Sequence, residues 1–97
     1  MVKSTTFDRW LRKLKDRRAA ARVLVRIDRL AAGNPGDVKP VGSGISELRI
    51  DHGPGYRVYY LRDGPRLILL LCGGDKSSQD RDVKESHRIA EEWKGER

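Results

Sequence analysis

At 97 residues, 37% hydrophobic and 36% charged, the chain has material for one modest core and reads as a single domain over residues 1–97. No apolar run reaches the roughly 20 residues of a membrane span, and Met1-Val2-Lys3-Ser4-Thr5-Thr6 carries no apolar signal core, so a cytoplasmic address is expected. Ten of the 21 bases and three of the 14 acids lie in residues 1–32, so the net +7 comes from the first third of the chain and points to an anionic partner.

Phe7, Trp10, Leu11 and Leu14 recur at i, i+3, i+4, i+7, which predicts a short amphipathic helix with Thr5 or Thr6 as N-cap. A second set, Ala20, Val23, Leu24, Ile27, Leu30 and Ala31, predicts another helix that stops at Gly33. Together they read as a helical hairpin. Its outer face carries Arg18, Arg22, Arg26 and Arg29 at spacings of four, four and three, either a solvated face or a basic stripe for docking on RNA.

Asn34-Pro35-Gly36-Asp37 is a turn signal, beyond which short β-type runs replace the helical period, the first of them a short strand near Val38 to Val41. Ile45 to Asp51 alternates, with Ser46, Leu48 and Ile50 on one face and Glu47, Arg49 and Asp51 on the other. Tyr56 to Arg62 follows His52-Gly53-Pro54-Gly55 as the return strand of an antiparallel hairpin. Asp63-Gly64 turns the chain again into Arg66 to Cys72, apolar on both faces and so placed mid-sheet. Gly73-Gly74 is expected to end that strand. Ser77 or Ser78 then caps a polar helix from Gln79 to Trp93 that makes contact through Val83, Ala90 and Trp93.

Familiar enzyme motifs are missing. Gly74-Asp75-Lys76-Ser77 echoes the end of a phosphate-binding loop without its upstream glycines, and there is neither G-x-S-x-G nor H-E-x-x-H. The single cysteine, Cys72, lies in the most apolar strand, as a small buried hydrophobe does, and with the distant His52 and His87 it offers no metal-ligand spacing. Neither a metal nor another cofactor is expected.

What remains is a set of cationic and phenolic groups on the sheet: Arg49, Arg57, Tyr59, Tyr60 and Lys76. Alternation puts Arg57 and Tyr59 on one face, and Arg49 joins them if the hairpin register sets residue 49 opposite 57 and 47 opposite 59, as a three-residue loop would. Such groups suit RNA, which offers phosphates to the Arg fork, bases to a Tyr face and its own nucleophile in the 2′-hydroxyl. His52 has the intrinsic pKa of an acid or base, although its place beside Gly53-Pro54-Gly55 also fits an exposed loop residue.

Five blocks carry a resemblance. They are Phe7-x-x-Trp10-Leu11-x-x-Leu14, Gly33-Asn34-Pro35-Gly36-Asp37-x-Lys39-Pro40-Val41-Gly42, Ser46-Glu47-Leu48-Arg49-Ile50, Gly53-Pro54-Gly55-Tyr56-Arg57-Val58-Tyr59-Tyr60 and Leu70-Leu71-Cys72-Gly73-Gly74-Asp75-Lys76-Ser77-x-Gln79. Over about residues 5–90 the chain resembles the addiction module killer proteins, HigB-like toxins of the RelE/ParE superfamily. The resemblance implies an α+β fold in which an N-terminal helical hairpin packs on a small curved antiparallel sheet, followed by a C-terminal helix. It implies a type II toxin-antitoxin toxin, neutralised by a helix-turn-helix, HigA-like antitoxin with which it binds operator DNA. Nuclease members of the superfamily cleave mRNA on the ribosome, whereas ParE-like members inhibit DNA gyrase. Carried onto this chain, Arg57 takes the place of a phosphate-stabilising Arg and Lys76 that of a basic residue ending the last strand, with Arg49 and Tyr59 beside them. Arg18, Arg22, Arg26 and Arg29 would meet ribosomal RNA. The C-terminal catalytic Tyr or His of several nuclease members has no match, since residues 77–97 hold no Tyr and His87 lies inside the predicted helix.

Overall fold

The computed structural model describes residues 1–65 and 67–95. In chain order the elements are β1 (Val2–Lys3), α1 (Thr5–Lys13), α2 (Arg17–Ala31), β2 (Val38–Gly42), β3 (Ile45–Ile50), β4 (Tyr56–Asp63), β5 (Leu67–Asp75), a 3-10 turn (Lys76–Ser78) and α3 (Gln79–Gly95). One sheet runs β1-β5-β4-β3-β2. It is mixed rather than antiparallel: β1 pairs parallel to β5, because α1 and α2 carry the chain away before the hairpins begin. Arg66, the expected start of the last strand, lies outside the described residues, and that strand sits inside the sheet but beside its centre, which is β4.

Each helix follows from local chemistry. Ser4, not Thr5 or Thr6, caps α1: its Oγ accepts from the Phe7 N–H and donates to the Leu71 carbonyl, so one hydroxyl both starts the helix and pins it to β5. Asp16 caps α2 through the N–H groups of Arg18 and Ala19. At its far end the Gly33 N–H reaches Leu30 O and the Asn34 N–H reaches Arg29 O, a Schellman closure that needs the positive φ of 89° that Gly33 adopts. α1 packs on β5 and α2 on β3 and β4, so the two helices lie on the sheet rather than chiefly on each other. Leu24 does not join the core; it is exposed, as is Val25, while Ala19, Val23, Ile27 and Leu30 are buried.

The sheet separates two apolar clusters. On the α1/α2 side lie Phe7, Val23, Ile27, Leu30, Leu48, Ile50, Val58, Tyr60, Ile68 and Leu70, with Trp10 and Tyr56 against them. On the α3 side lie Ile45, Tyr59, Leu61, Leu69, Leu71, Cys72, Ile89 and Ala90, with Val83 and Trp93. Both faces of β5 are used, as its unbroken apolar run requires. The register shift between Tyr59 and Tyr60 makes Leu71 the extra residue of a bulge and puts it with Cys72 on the α3 side. Burial pushes the Cys72 thiol up to about 12, with the nearby Asp82 carboxylate adding to it, so it stays protonated and inert.

Gly73 and Gly74 do not end the strand. β5 continues to Asp75, paired through these glycines with Val58 and Arg57. Their lack of a side chain serves close approach: a Cβ on Gly73 would lie 2.3 Å from the Trp10 ring, and one on Gly74 would lie 1.8 Å from Asp82 Oδ2. The chain then turns through Asp75, which caps a 3-10 turn by accepting from the Ser77 N–H, while Ser78 Oγ donates to Asp82 Oδ2; Asp75, rather than the expected Ser77 or Ser78, is the capping residue ahead of α3. His87 Nε2 is hydrogen-bonded to the Val41 carbonyl at 2.9 Å and ties α3 to β2.

Candidate functional site

The β3–β4 register sets Arg49 opposite Arg57 and Glu47 opposite Tyr59, although five residues, 51–55, rather than three separate the last paired positions. Even spacing keeps all four side chains on the α3 face. Where β5 gives way to the 3-10 turn, Lys76 comes up beside them. Arg49, Arg57 and Lys76 line one open cleft of about 350 Å³ together with Asp37, Ile50, Asp51 and Gly55. Lys76 is exposed, the Arg49 side chain is 33% exposed and that of Arg57 13%.

Beneath this cleft lies Glu47, wholly buried. Its Oε1 accepts from Arg49 Nε at 3.0 Å and faces Arg57 Nε at 3.6 Å. Its Oε2 accepts from the Tyr59 hydroxyl at 3.0 Å and from Gln79 Nε2 at 2.9 Å. Burial opposes its ionisation, but the bonds from Arg49, Gln79 and Tyr59 and the charge of Arg57 outweigh it and hold the carboxyl below its usual 4.5. Because the folded pKa is depressed, the stability Glu47 contributes is present above about pH 4.5 and is lost as pH falls through the folded value. Thermal melts from pH 7 to 3 are therefore expected to fall more steeply for the wild type than for Glu47→Gln, which has no carboxyl there to protonate; equal slopes would contradict this balance.

Tyr59 is fully buried, and burial followed by the Glu47 charge drives its hydroxyl well above the usual tyrosine value. It offers neither an open face for a base nor a readily lost proton. His52 is turned away as well. Its Nε2 lies 3.1 Å from Asp16 Oδ2 and its ring stacks on Tyr56, which in turn meets Trp10 edge-on, so the imidazole ties the β3–β4 loop to the start of α2 on the opposite side of the sheet. The Ala19 N–H, then the His52 contact, hold Asp16 below its usual value. His52→Ala is expected to loosen that tether and lower Tm by a few degrees; an unchanged melting temperature would contradict a tethering role.

The arginine stripe divides. Arg18, Arg22 and Arg29 are exposed, but Arg26 is half-buried and donates to the carbonyls of Arg49 (2.5 Å) and Pro35 (3.0 Å). It buttresses the strand that carries Arg49 and is not a free docking group. Tyr60 is buried on the α1/α2 side. Among the described residues no group of three or more His, Cys, Asp or Glu could hold a metal ion, and no helix is long and apolar enough to cross a membrane.

Sequence reasoning missed Glu47 and Gln79 as parts of the site. Alternation puts Glu47 on the Arg49 face and makes it a pairing candidate for Arg49, but its contacts with Arg57 and Tyr59 depend on a register that the sequence leaves open. Gln79 was visible as the start of the last helix and the end of the Gly-Gly-Asp-Lys-Ser block, but not as a partner of Glu47.

Fold and cleft define a small basic α+β domain with three cations gathered at one end of the neighbouring strands β3, β4 and β5. The chain belongs to the family described as Phage derived protein Gp49-like (DUF891), whose profile matches residues 9–94. That family is associated with toxins of toxin-antitoxin systems, which indicates an antitoxin as a partner. The chain is also similar to a protein of Haemophilus influenzae described as an uncharacterized protein, 55% identical over 92 residues, 94% of this chain and 93% of that one.

Proposed function

We propose that the protein is a HigB-like, RelE/ParE-type toxin of a type II system that cleaves mRNA on the ribosome and is neutralised by a helix-turn-helix, HigA-like antitoxin, with which it represses its own operon. The observation that carries this reading is the convergence of Arg49, Arg57 and Lys76 on one open cleft. Three cations, two of them planar forks, match the oxygens of a phosphodiester as its charge grows in the transition state. The RNA supplies the nucleophile: its 2′-oxygen bonds to phosphorus as the bond to the 5′-oxygen breaks, leaving a 2′,3′-cyclic phosphate and a 5′-hydroxyl end. The 2′-hydroxyl proton passes to water and the leaving oxygen takes one from water. The cleft therefore contributes alignment and charge neutralisation. Arg57, the most enclosed cation, stabilises the transition-state phosphate, Lys76 and Arg49 grip the flanking backbone, and Tyr59 acts from beneath through Glu47. Exposed Arg18, Arg22 and Arg29 add to the positive field that draws the protein to ribosomal RNA.

The test is primer extension on a defined mRNA incubated with the purified protein, with and without translating ribosomes. Cleavage within the ribosome-bound message, weakened by Arg57→Ala and by Lys76→Ala, is the expected result; an intact message under both conditions contradicts the reading. A second reading, a non-nucleolytic toxin that inhibits DNA gyrase, is favoured by one observation: neither the Tyr59 hydroxyl nor His52 reaches the cleft. Loss of gyrase supercoiling with the same protein, and no cut message, would select it.

A further inference from the structure

Arg49 and Arg57 stand directly opposite each other across β3 and β4, a like-charge pairing that costs stability unless an acid lies between. Glu47 is that acid, and it divides its two oxygens. Oε1 serves both guanidiniums, in each case at Nε, while Oε2 is held by Tyr59 from β4 and Gln79 from α3. Contact at Nε leaves the terminal nitrogens of each fork free, and among the described residues no protein acceptor is bonded to them. The pair with Arg57 stays at 3.6 Å, without the hydrogen bond that a purely structural ion pair would close, and its Nε is buried without another partner.

We propose that Glu47 is a positioning residue: its buried carboxylate, held from behind by Tyr59 and Gln79, aims the guanidinium forks of Arg49 and Arg57 at a substrate phosphate in the cleft. The proposal rests on the RNA-cleaving reading above. Glu47 touches no substrate. It fixes the rotamers of the two residues that do, so that little order has to be gained when RNA arrives. Through Gln79 it also links the cleft to the start of α3, so a shift of that helix would disturb the forks.

The experiment compares wild type, Glu47→Gln, Tyr59→Phe, Arg57→Ala and the double variant Glu47→Gln/Arg57→Ala, all checked for folding by circular dichroism. Two readouts are taken: kcat and KM for ribosome-bound mRNA, and the Arg Nε–H signals of the free protein by NMR. In Glu47→Gln, kcat is expected to fall about tenfold to 100-fold while KM moves less, as when reacting groups are misaimed, and the Nε–H signals of Arg49 and Arg57 should lose their protection. Arg57→Ala should cost far less in the Glu47→Gln background than in the wild type, because the fork it removes is already misaimed. Tyr59→Phe, which keeps the packed ring, should show the same pattern more weakly and carries the test if Glu47→Gln does not fold. Fully additive losses, or unchanged Nε–H signals in a folded Glu47→Gln protein, would overturn the proposal. If the wild type cuts no message, the RNA-cleaving reading falls instead, and the Nε–H signals alone decide whether Glu47 fixes the forks.

Discussion

Arg57→Ala is expected to lower RNA cleavage by at least about 100-fold, the usual cost of removing one preorganised donor to a developing oxyanion, and to leave the domain folded. The fold should survive because Arg57 contributes only a 3.6 Å contact to Glu47, whose carboxylate keeps Arg49, Tyr59 and Gln79. Removing Arg57 also relieves its opposition to Arg49. Arg57→Lys should be intermediate, since a lysine restores the charge without the planar fork. Circular dichroism and a thermal melt separate chemistry from stability. Near-normal cleavage by a folded Arg57→Ala protein would remove Arg57 from the phosphate.

The largest effect on stability is expected at Gly74. A Cβ there would lie 1.8 Å from Asp82 Oδ2, 2.7 Å from Ser78 Oγ and 2.8 Å from Asp82 Cγ. These groups cannot swing into solvent, because Asp82 is buried and its Oδ2 accepts from Ser78 Oγ. Forcing them apart adds overpacking, typically about 1–3 kcal/mol, to the cost of stranding a buried polar group, another 1–3 kcal/mol or so. Gly74→Ala should therefore lower Tm by more than about 10 °C in a domain of this size, and in the extreme prevent folding. Gly33→Ala, where nothing lies within 4 Å of the added carbon and only the positive φ is strained, should cost about 1 kcal/mol. Equal melting temperatures for the two variants would contradict this account of why β5 carries glycine.

Legibility in the sequence followed the range of the interactions involved. The end of α2 was readable because a Schellman closure uses only Arg29 to Asn34. The helix spacing and the strand alternation were readable for the same reason, as were Arg49, Arg57 and Lys76 as separate candidates, whereas their meeting in one cleft depends on the folded sheet. Gly73-Gly74 was misread because a glycine pair looks like a strand end, whereas here Gly73 makes room for Trp10 from α1, far away in sequence, and Gly74 for Asp82, which the turn after β5 folds back from α3. Arg26 was misread because the carbonyls it satisfies, on Pro35 and Arg49, reach α2 only once the sheet has formed. β1, two residues long, is too short for any periodicity to reveal; only the family resemblance implies a shortened first strand within Met1 to Ser4.

The central claim is tested most directly by mapping new RNA 5′ ends across the transcriptome within minutes of inducing the wild-type protein, with Arg57→Ala and Lys76→Ala as folded controls. The account predicts new 5′-hydroxyl ends inside coding regions that are missing or sharply reduced with Arg57→Ala. Growth arrest without such ends would contradict it and make the cation cleft a binding surface for another target.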